Sequence, residues 1–458
     1  MKVNSEIFRA YDIRGIVKDE LSEELVENLG KALGTILLRK GRDKICVCRD
    51  GRLSGPDLSE TLISGIISVG CDVMNIGMAP TPLLYFATFT SGIKDGVMIT
   101  GSHNPKNYNG FKIVFDQKAL TSNSIQEIKS LIMSEDFEEG LGKVDSLSIF
   151  DKYLKELKEK ISIPKTLKVV LDCGNGVGGT IAPDSFKALG INLKEIFCEV
   201  DGNFPNHHPD PGNPKNMVDL SKAVIKESAD IGIALDGDGD RLGVVDNLGK
   251  IIYPDQYMSL VSEDILKKNI NSKIVFDVKC SNQLTETIRK SGGIPIMSRT
   301  GHSYIKSEIL NSNAILGGEM SGHIFFNDNW YGFDDGIFSA LRLLEIIGKL
   351  DTTSSEAFKK FPQLFNTPEL AIKTTDKDKF KIIEKLKNNY DFDGYERILI
   401  DGLRLENKNA WGLARASNTT PTIVLRFEGD TEESLKEIIE TFQKALFDID
   451  KRLIINLN

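Results

Sequence analysis

The sequence predicts an α/β protein built from several units of one topology. Three observations predict it. The chain has 458 residues, too many for one hydrophobic core. Short apolar runs alternate with amphipathic helical stretches at βαβ spacing, which implies mostly parallel sheets. Three times an apolar run ends in a Gly-rich polar loop, after residues 96–99, 231–235 and 314–316. The recurrence implies three domains that present equivalent loops.

Composition narrows the function classes. Apolar residues make up 40% and charged residues 27%, as in ordinary soluble proteins. The net charge of −9 argues against a general nucleic-acid binder, so an anionic substrate needs locally placed Arg and Lys. None of the six cysteines forms a CxxC pair, and Cys46 and Cys48 sit in an apolar run as small hydrophobes. No disulfide framework is expected, which fits a reducing cytoplasm. The first residues lack an apolar signal core, and no apolar run is long enough to span a membrane.

In chain order, residues 8–15 are dense in charge and aromatic rings and by themselves read as a solvated arm. Ser22 reads as an N-cap, with Leu25, Leu29, Ala32, Leu33, Ile36 and Leu37 following as one core stripe. Strand 44–47, helix 56–69 and strand 72–76 come next. Gly96–Ile99 is a buried strand, and Thr100-Gly101-Ser102-His103-Asn104-Pro105 is the turn at its end. A serine hydroxyl beside an imidazole on a loop is where a nucleophile meets substrate. An ordinary Ser-His turn is the plain alternative, and the loops further along tell against it. Lys112 follows closely.

A helix carrying Phe150, Tyr153, Leu154 and Leu157 opens a second unit. Strand 167–171 runs into Gly174-Asn175-Gly176-Val177-Gly178-Gly179, a G-x-G-x-x-G match with Glu195 and Glu199 near ribose-binding spacing. Alone the match is weak, and a tight strand-to-helix turn is the preferred reading. His207 and His208 sit among prolines without a third ligand, which favours a hydrogen-bonded loop over a metal site. Strand 231–235 delivers Asp236-Gly237-Asp238-Gly239-Asp240-Arg241. Three carboxylates at alternate positions wrap one hard cation, and without it they repel. An EF-hand needs Gly at loop position six and Glu at twelve, where this chain has Arg241 and Asn247. Three protein oxygens leave an octahedral Mg²⁺ short of ligands, which a phosphate oxygen completes.

Residues 251–254 close that unit. Helix 256–268 leads to strand 274–280, with Lys279 at its carboxyl end. Thr300-Gly301-His302-Ser303 and Gly317-Gly318-Glu319-Met320-Ser321-Gly322-His323 follow. Alternation of Glu319, Ser321 and His323 points them one way, an array suited to vicinal sugar hydroxyls. Helix 335–350 is core. In the more charged C-terminal region, Arg415, Ser417, Asn418 and Thr419 on one loop form a phosphate nest. All five histidines, at 103, 207, 208, 302 and 323, fall in these loops and none on a helix.

Four of these motifs, at residues 100–105, 236–241, 318–323 and 415–419, occur in the order in which they occur in the α-D-phosphohexomutases. The chain resembles that family from Phe8 to about Gly429, and within it the bacterial bifunctional phosphomannomutase/phosphoglucomutase group. The resemblance implies three similar mixed α/β sheet domains, at 1–147, 148–250 and 251–362, and a smaller C-terminal α+β domain at 363–458, around a central cleft. It implies that Ser102 carries a phosphoryl group and binds Mg²⁺ together with Asp236, Asp238 and Asp240. Arg14, Lys112 and Arg241 would surround the transferring group. Tyr11, Lys279 and His302 would contact substrate, and Glu319, Ser321 and His323 would grip sugar hydroxyls. Arg415, Ser417, Asn418 and Thr419 would hold the phosphate that is not reacting. Lys112 and His103 are both candidates for proton transfer or charge stabilisation.

The implied activity is reversible conversion of hexose 1-phosphate to hexose 6-phosphate through phosphoserine and a hexose 1,6-bisphosphate, with Mg²⁺ as cofactor. Sugar phosphates are the expected partners, with no nucleic acid, membrane or obligate protein partner. Met320 beside Glu319 resembles the mannose/glucose group, whereas glucosamine mutases tend to carry glutamine there. A phosphoglucosamine mutase is the nearer alternative. An NAD-dependent oxidoreductase built on Gly174–Gly179 is the remoter one and leaves Ser102 and the aspartates unexplained. A silent sugar-phosphate binder is disfavoured by the presence of all four of those residues.

Overall fold

A computed structural model describes residues 4, 7–9, 12–120, 122–361, 364–417 and 420–457. Within it the chain divides into two compact units. The first runs up to Tyr257 and takes in Ser321–Phe358; the second comprises Met258–Met320 and the chain from Lys359 onward.

The first unit opens with β1 (Ile13–Ile16), α1 (Glu23–Arg39), β2 (Lys44–Arg49), α2 (Gly55–Ile67), β3 (Asp72–Met78), α3 (Thr81–Thr90) and β4 (Gly96–Ile99). There follow β5 (Tyr108–Phe115), β6 (Lys118–Ala119), α4 (Ser122–Ser134) and β7 (Val144–Ser146). The Ser22 hydroxyl caps α1 by accepting from the Leu25 N–H at 3.3 Å, and Glu23 and Glu24 lie in its first turn. The predicted stripe of α1 is buried in one apolar cluster with residues of α2, β2 and β4. The strands are ordered β1-β5-β4-β2-β3-β7, with β6 on β5. This sheet is mixed rather than mostly parallel, because β5 returns antiparallel to β4 and β1 pairs antiparallel with β5.

A second sheet follows α5 (Phe150–Lys160) and contains β8 (Lys168–Asp172), β9 (Asn192–Ile196), β10 (Ile231–Leu235), β11 (Leu242–Asp246) and β12 (Ile251–Ile252). Helix α6 (Ala182–Ala188) joins β8 to β9, and α7 (Val218–Glu227) precedes β10. The order is β12-β11-β10-β8-β9. α8 (Pro254–Leu266) carries the chain into the second unit, where β13 (Lys273–Asp277), α9 (Asn282–Lys290), β14 (Ile294–Ser298), α10 (His302–Ser312) and β15 (Leu316–Gly318) form a parallel set ordered β14-β13-β15.

The predicted recurrence is therefore a recurrence of topology. In each set the third strand lies beside the first, and the second flanks the first on its other side: β4-β2-β3, β10-β8-β9 and β15-β13-β14. The polar loops leave the carboxyl ends of the three corresponding strands β4, β10 and β15, where α/β sheets collect ligands. Back in the first unit, β16 (Ile324–Phe326) precedes α11 (Gly336–Lys349), whose N-cap is Asp335. After α12 (Ser354–Lys359) the second unit adds an antiparallel sheet of β17 (Phe365–Asn366), β18 (Leu370–Lys373), β19 (Glu396–Ile398), β20 (Leu403–Glu406), β21 (Ala410–Ala416) and β22 (Thr422–Gly429). Helices α13 (Asp376–Asn388) and α14 (Glu432–Ile449) cover it, packing Ile383, Leu386, Ile438 and Phe442 onto Leu405, Leu425 and Phe427.

Candidate active site

In the first unit Ser102 follows β4 in a left-handed backbone conformation (φ 48°) and is buried. Its Oγ donates to Asp236 Oδ2 at 3.1 Å and lies 3.3 Å from His103 Nδ1. Behind the loop sits a buried pair, Asp50 and Arg52. Arg52 donates to the carbonyls of Ser102, Asn104, Pro105 and Tyr108 at 2.6–3.0 Å. Asp50 accepts from the Thr100 hydroxyl and from the Gly101 N–H. The pair fixes a loop that has no regular hydrogen-bond ladder of its own.

Asp236, Asp238 and Asp240 follow β10 and are fully buried, with ligand oxygens of the three within 4.8 Å of one another. Lys112 on β5 donates to Oδ2 of Asp238 at 2.6 Å and to Oδ2 of Asp240 at 2.5 Å. Thr81, at the start of α3, donates to Asp238 at 2.5 Å. Oδ1 of Asp238 and Oδ1 of Asp240 have no hydrogen-bond partner among the described residues. Burial, with the charges of Asp240 and Asp238, pushes the Asp236 carboxyl well above its ordinary range. Burial also opposes the charge on Asp238, yet the Lys112 ammonium outweighs it and holds that carboxyl far below the usual range. Desolvation likewise disfavours the Lys112 charge, and Asp238 and Asp240 more than restore it, so Lys112 is a cation here. Lys112 pairs with two of the three carboxyls, Arg241 Nε stands 3.9 Å from Asp236 Oδ2, and the two buried oxygens left bare suit a hard divalent cation.

Around this cluster, Arg14 on β1 donates to Asp12 at 2.6 Å while its Nε has no partner among the described residues. Arg241 Nε donates to His323 Nε2 at 3.0 Å, and His323 Nδ1 lies 2.9 Å from the buried Asp334. Desolvation and the nearby guanidinium groups of Arg241 and Arg14 push the His103 imidazole well down, so it is neutral. The paired histidines form a hydrogen-bonded loop. His208 donates to the His103 carbonyl, and His207 spans Asp172 at 3.0 Å and the His208 carbonyl at 3.0 Å.

In the second unit Lys279 lies in the turn beyond β13 rather than on the strand, with Glu369 at 3.0 Å and Asp277 at 3.9 Å. Burial works against its charge, but those two carboxylates raise its pKa. Asp277 also accepts from the Met320 N–H and the Thr300 hydroxyl. Glu319 accepts from the Gly301 N–H. Asp401 joins the Thr300 N–H to Arg415 Nε at 2.8 Å, and one Arg415 amino group has no partner among the described residues.

Four adjoining family models match the chain. They are phosphoglucomutase/phosphomannomutase alpha/beta/alpha domain I over residues 5–139, domain II over 151–249 and domain III over 253–365, and the C-terminal domain of the same family over 369–445. The chain belongs to this family. A phosphomannomutase/phosphoglucomutase of Pseudomonas aeruginosa is 48% identical over 449 residues, which cover 98% of this chain and 97% of that one. A phosphoglucomutase of Neisseria meningitidis is 44% identical over 453 residues, covering 98% of each chain. The crystal structure of a phosphoglucomutase/phosphomannomutase family protein from Burkholderia thailandensis matches with a TM-score of 0.94 at 42% identity, over 99% of this chain and all of that one.

In this phosphohexomutase the geometry corrects two sequence readings, those of Arg415 and His302. Glu319, Ser321 and His323 follow directly after β15 (Leu316–Gly318). They lie on a turn in which Gly322 takes φ 98°, a conformation that breaks an extended run. Arg415 belongs to β21, not to a loop. His302 is the first residue of α10, so one histidine is on a helix. The G-x-G-x-x-G segment is the tight strand-to-helix turn preferred from sequence: a Cβ on Gly176 would lie 2.9 Å from the Gly237 Cα and O, so this glycine packs against the aspartate loop. Tyr11, Asn418 and Thr419 lie outside the described residues. Sequence reasoning missed Asp50, Arg52, Thr81, Asp277, Glu369, Asp401 and Asp334. Asp50-Gly51-Arg52 ends strand β2, and the rule that picked out the other strand-end loops applied there too.

Proposed function

We propose that this isomerase interconverts hexose 1-phosphates and hexose 6-phosphates, of mannose and glucose, with Ser102 as the phosphoryl carrier. One observation carries the reading: the Ser102 hydroxyl stands 3.1 Å from Asp236, where three buried carboxylates converge. Four segments, 1–147, 148–250, 251–362 and 363–458, serve as its domains, a division that follows the four adjoining family matches. Asp236, Asp238, Asp240 and Ser102 hold Mg²⁺. Bound there, Mg²⁺ supplies neutralising charge for the phosphoryl group.

Phosphoserine donates to the free 6-hydroxyl of a hexose 1-phosphate: its P–O bond to Ser102 Oγ breaks, the bond to the sugar oxygen forms, and the hydroxyl proton leaves. The hexose 1,6-bisphosphate turns over and returns its 1-phosphoryl group to Ser102. Arg14, Lys112 and Arg241 offset charge on the transferring group. Lys112, already an ammonium, serves charge stabilisation, while neutral His103 is the proton acceptor. Lys279 and His302, with Tyr11, orient the substrate. Glu319, Ser321 and His323 read hydroxyls common to both orientations. Arg415, Ser417, Asn418 and Thr419 hold the distal phosphate, a role that suits the bare amino group of Arg415.

A coupled assay with Mg²⁺ and a trace of hexose 1,6-bisphosphate, run on mannose, glucose and glucosamine 1-phosphates, tests the substrate class. Turnover of the first two with glucosamine far behind is expected, and glucosamine preference overturns the choice of sugar. Ser102→Ala is expected to lose about 10³-fold or more in kcat while still binding sugar phosphate. Full activity in that variant removes Ser102 as carrier.

A further inference from the structure

Cys173 and Cys198 stand apart from the reaction described above. Cys173 follows β8 and is fully buried. Cys198 lies just beyond β9 and is partly exposed, whereas the other five cysteines are buried. Their sulfurs are 3.4 Å apart, in contact though unbonded. A disulfide needs about 2.05 Å, so an approach of little more than an ångström joins them.

The two thiols also bracket the turn behind the aspartate loop. The Gly176 N–H donates to the Cys173 carbonyl at 2.7 Å, and the Val177 N–H donates to the Gly237 carbonyl at 3.1 Å. Asn175 ties the same turn to the Cys198 segment, through its N–H to the Phe197 carbonyl and its side-chain amide to the Glu199 carbonyl. On the other side of the turn, a Cβ on Gly179 would meet the Cys198 carbonyl at 1.9 Å. The backbone around the thiols is thus continuous with Gly237, between Asp236 and Asp238.

We propose that Cys173 and Cys198 form a reversible disulfide modification site whose oxidation is felt at the aspartate loop. The oxidant is a hydroperoxide. The Cys198 sulfur attacks the peroxide O–O bond, taking the terminal hydroxyl to become a sulfenic acid, and the thiol's proton goes to the departing oxygen, which leaves as an alcohol or water. The Cys173 sulfur then displaces the hydroxyl, which leaves as water with the Cys173 proton. Two electrons pass from the two thiols to the peroxide, and a dithiol returns them. Contact with Cys198 and burial together raise the Cys173 pKa well above the usual thiol value. Exposure therefore makes Cys198 the entry point and Cys173 the resolving partner.

The test uses the full reduced chain, treated with hydrogen peroxide under native conditions and then denatured for thiol counting and peptide mass analysis. Two of the six thiols are expected to disappear, with one cross-linked peptide pair carrying residues 173 and 198 and two hydrogens fewer. Dithiothreitol restores both thiols, and Cys198→Ser abolishes the loss. Direct Mg²⁺ binding by calorimetry is expected to weaken at least about threefold in the oxidised protein and to stay unchanged in peroxide-treated Cys198→Ser. Retention of all six thiols, or a disulfide between other cysteines, overturns the site. A Cys173–Cys198 disulfide that leaves Mg²⁺ binding unchanged overturns the link to the aspartate loop.

Discussion

At the scale of single residues, the side chains nearest the chemistry depend on partners buried behind them. Arg52 is almost wholly buried, so its charge is affordable only beside Asp50 and the four carbonyls it serves. Desolvation lowers its pKa, and Asp50 and Asp238 counter that. Arg52→Ala strands a buried carboxylate and frees the Ser102 loop. It is expected to cost about 3–5 kcal/mol in denaturant unfolding and to lower Ser102 phosphorylation measured by mass spectrometry. Native stability with normal phosphoserine occupancy would remove Arg52 from this role. The aspartate triplet stood out in the sequence because its alternate spacing is itself chemical, whereas Ser102 stood out only beside the other strand-end loops. Glu369 and Asp401 did not, since each is a lone acid whose meaning comes only from the lysine or arginine folded against it.

At the scale of elements, turns carry the specificity of the fold. The Gly174–Gly179 turn has the outward pattern of a nucleotide loop, but its Gly176 abuts Gly237 of the aspartate loop and its Gly179 abuts the Cys198 carbonyl. Gly176→Ala is expected to push Gly237 aside, cost about 1–3 kcal/mol and raise the Mg²⁺ concentration for half-maximal activity. An unchanged Mg²⁺ titration would show that the two turns are not coupled. Helix α11 shows a second case. Asp335 caps it by accepting from the Phe338 N–H at 2.9 Å, and Tyr153 on α5 donates to the same carboxyl. Burial raises the Asp335 pKa to about 7 from an ordinary 3.8, more than the Phe338 N–H and Tyr153 lower it. The folded state then holds a proton that the unfolded chain releases, so this group's contribution is full below about pH 4 and is lost as pH rises through 7. Asp335→Asn keeps the cap and is expected to flatten that part of the stability profile, read by denaturant unfolding at pH 5 and pH 8. Helix α11 itself was readable from its apolar period; the proton on its cap was not, because burial cannot be counted from sequence.

At the scale of the whole molecule, three strand sets of one order, each releasing a polar loop from its third strand, explain why the motifs are so widely spaced and yet recognisable. The antiparallel returns β5 and β11 were less legible, since an apolar run does not state its direction. Among the described residues no helix is long and apolar enough to cross a membrane. The buried carboxylates impose a standing electrostatic load on the folded chain, relieved in part by Lys112. Removal of divalent metal by chelation is expected to abolish turnover and lower the melting temperature. Re-addition of Mg²⁺ at a hundred times its Kd should return about 2.7 kcal/mol, visible as a concentration-dependent rise in Tm. A Tm indifferent to Mg²⁺ would count against the aspartate loop as the metal site.

The anchorage of the Ser102 loop bears on the kinematics of the proposed reaction. Arg52 grips four of its carbonyls and Asp50 its threonine and glycine. With Ser102 as the proposed carrier on so tethered a loop, one sugar presents both of its ends only by turning over itself.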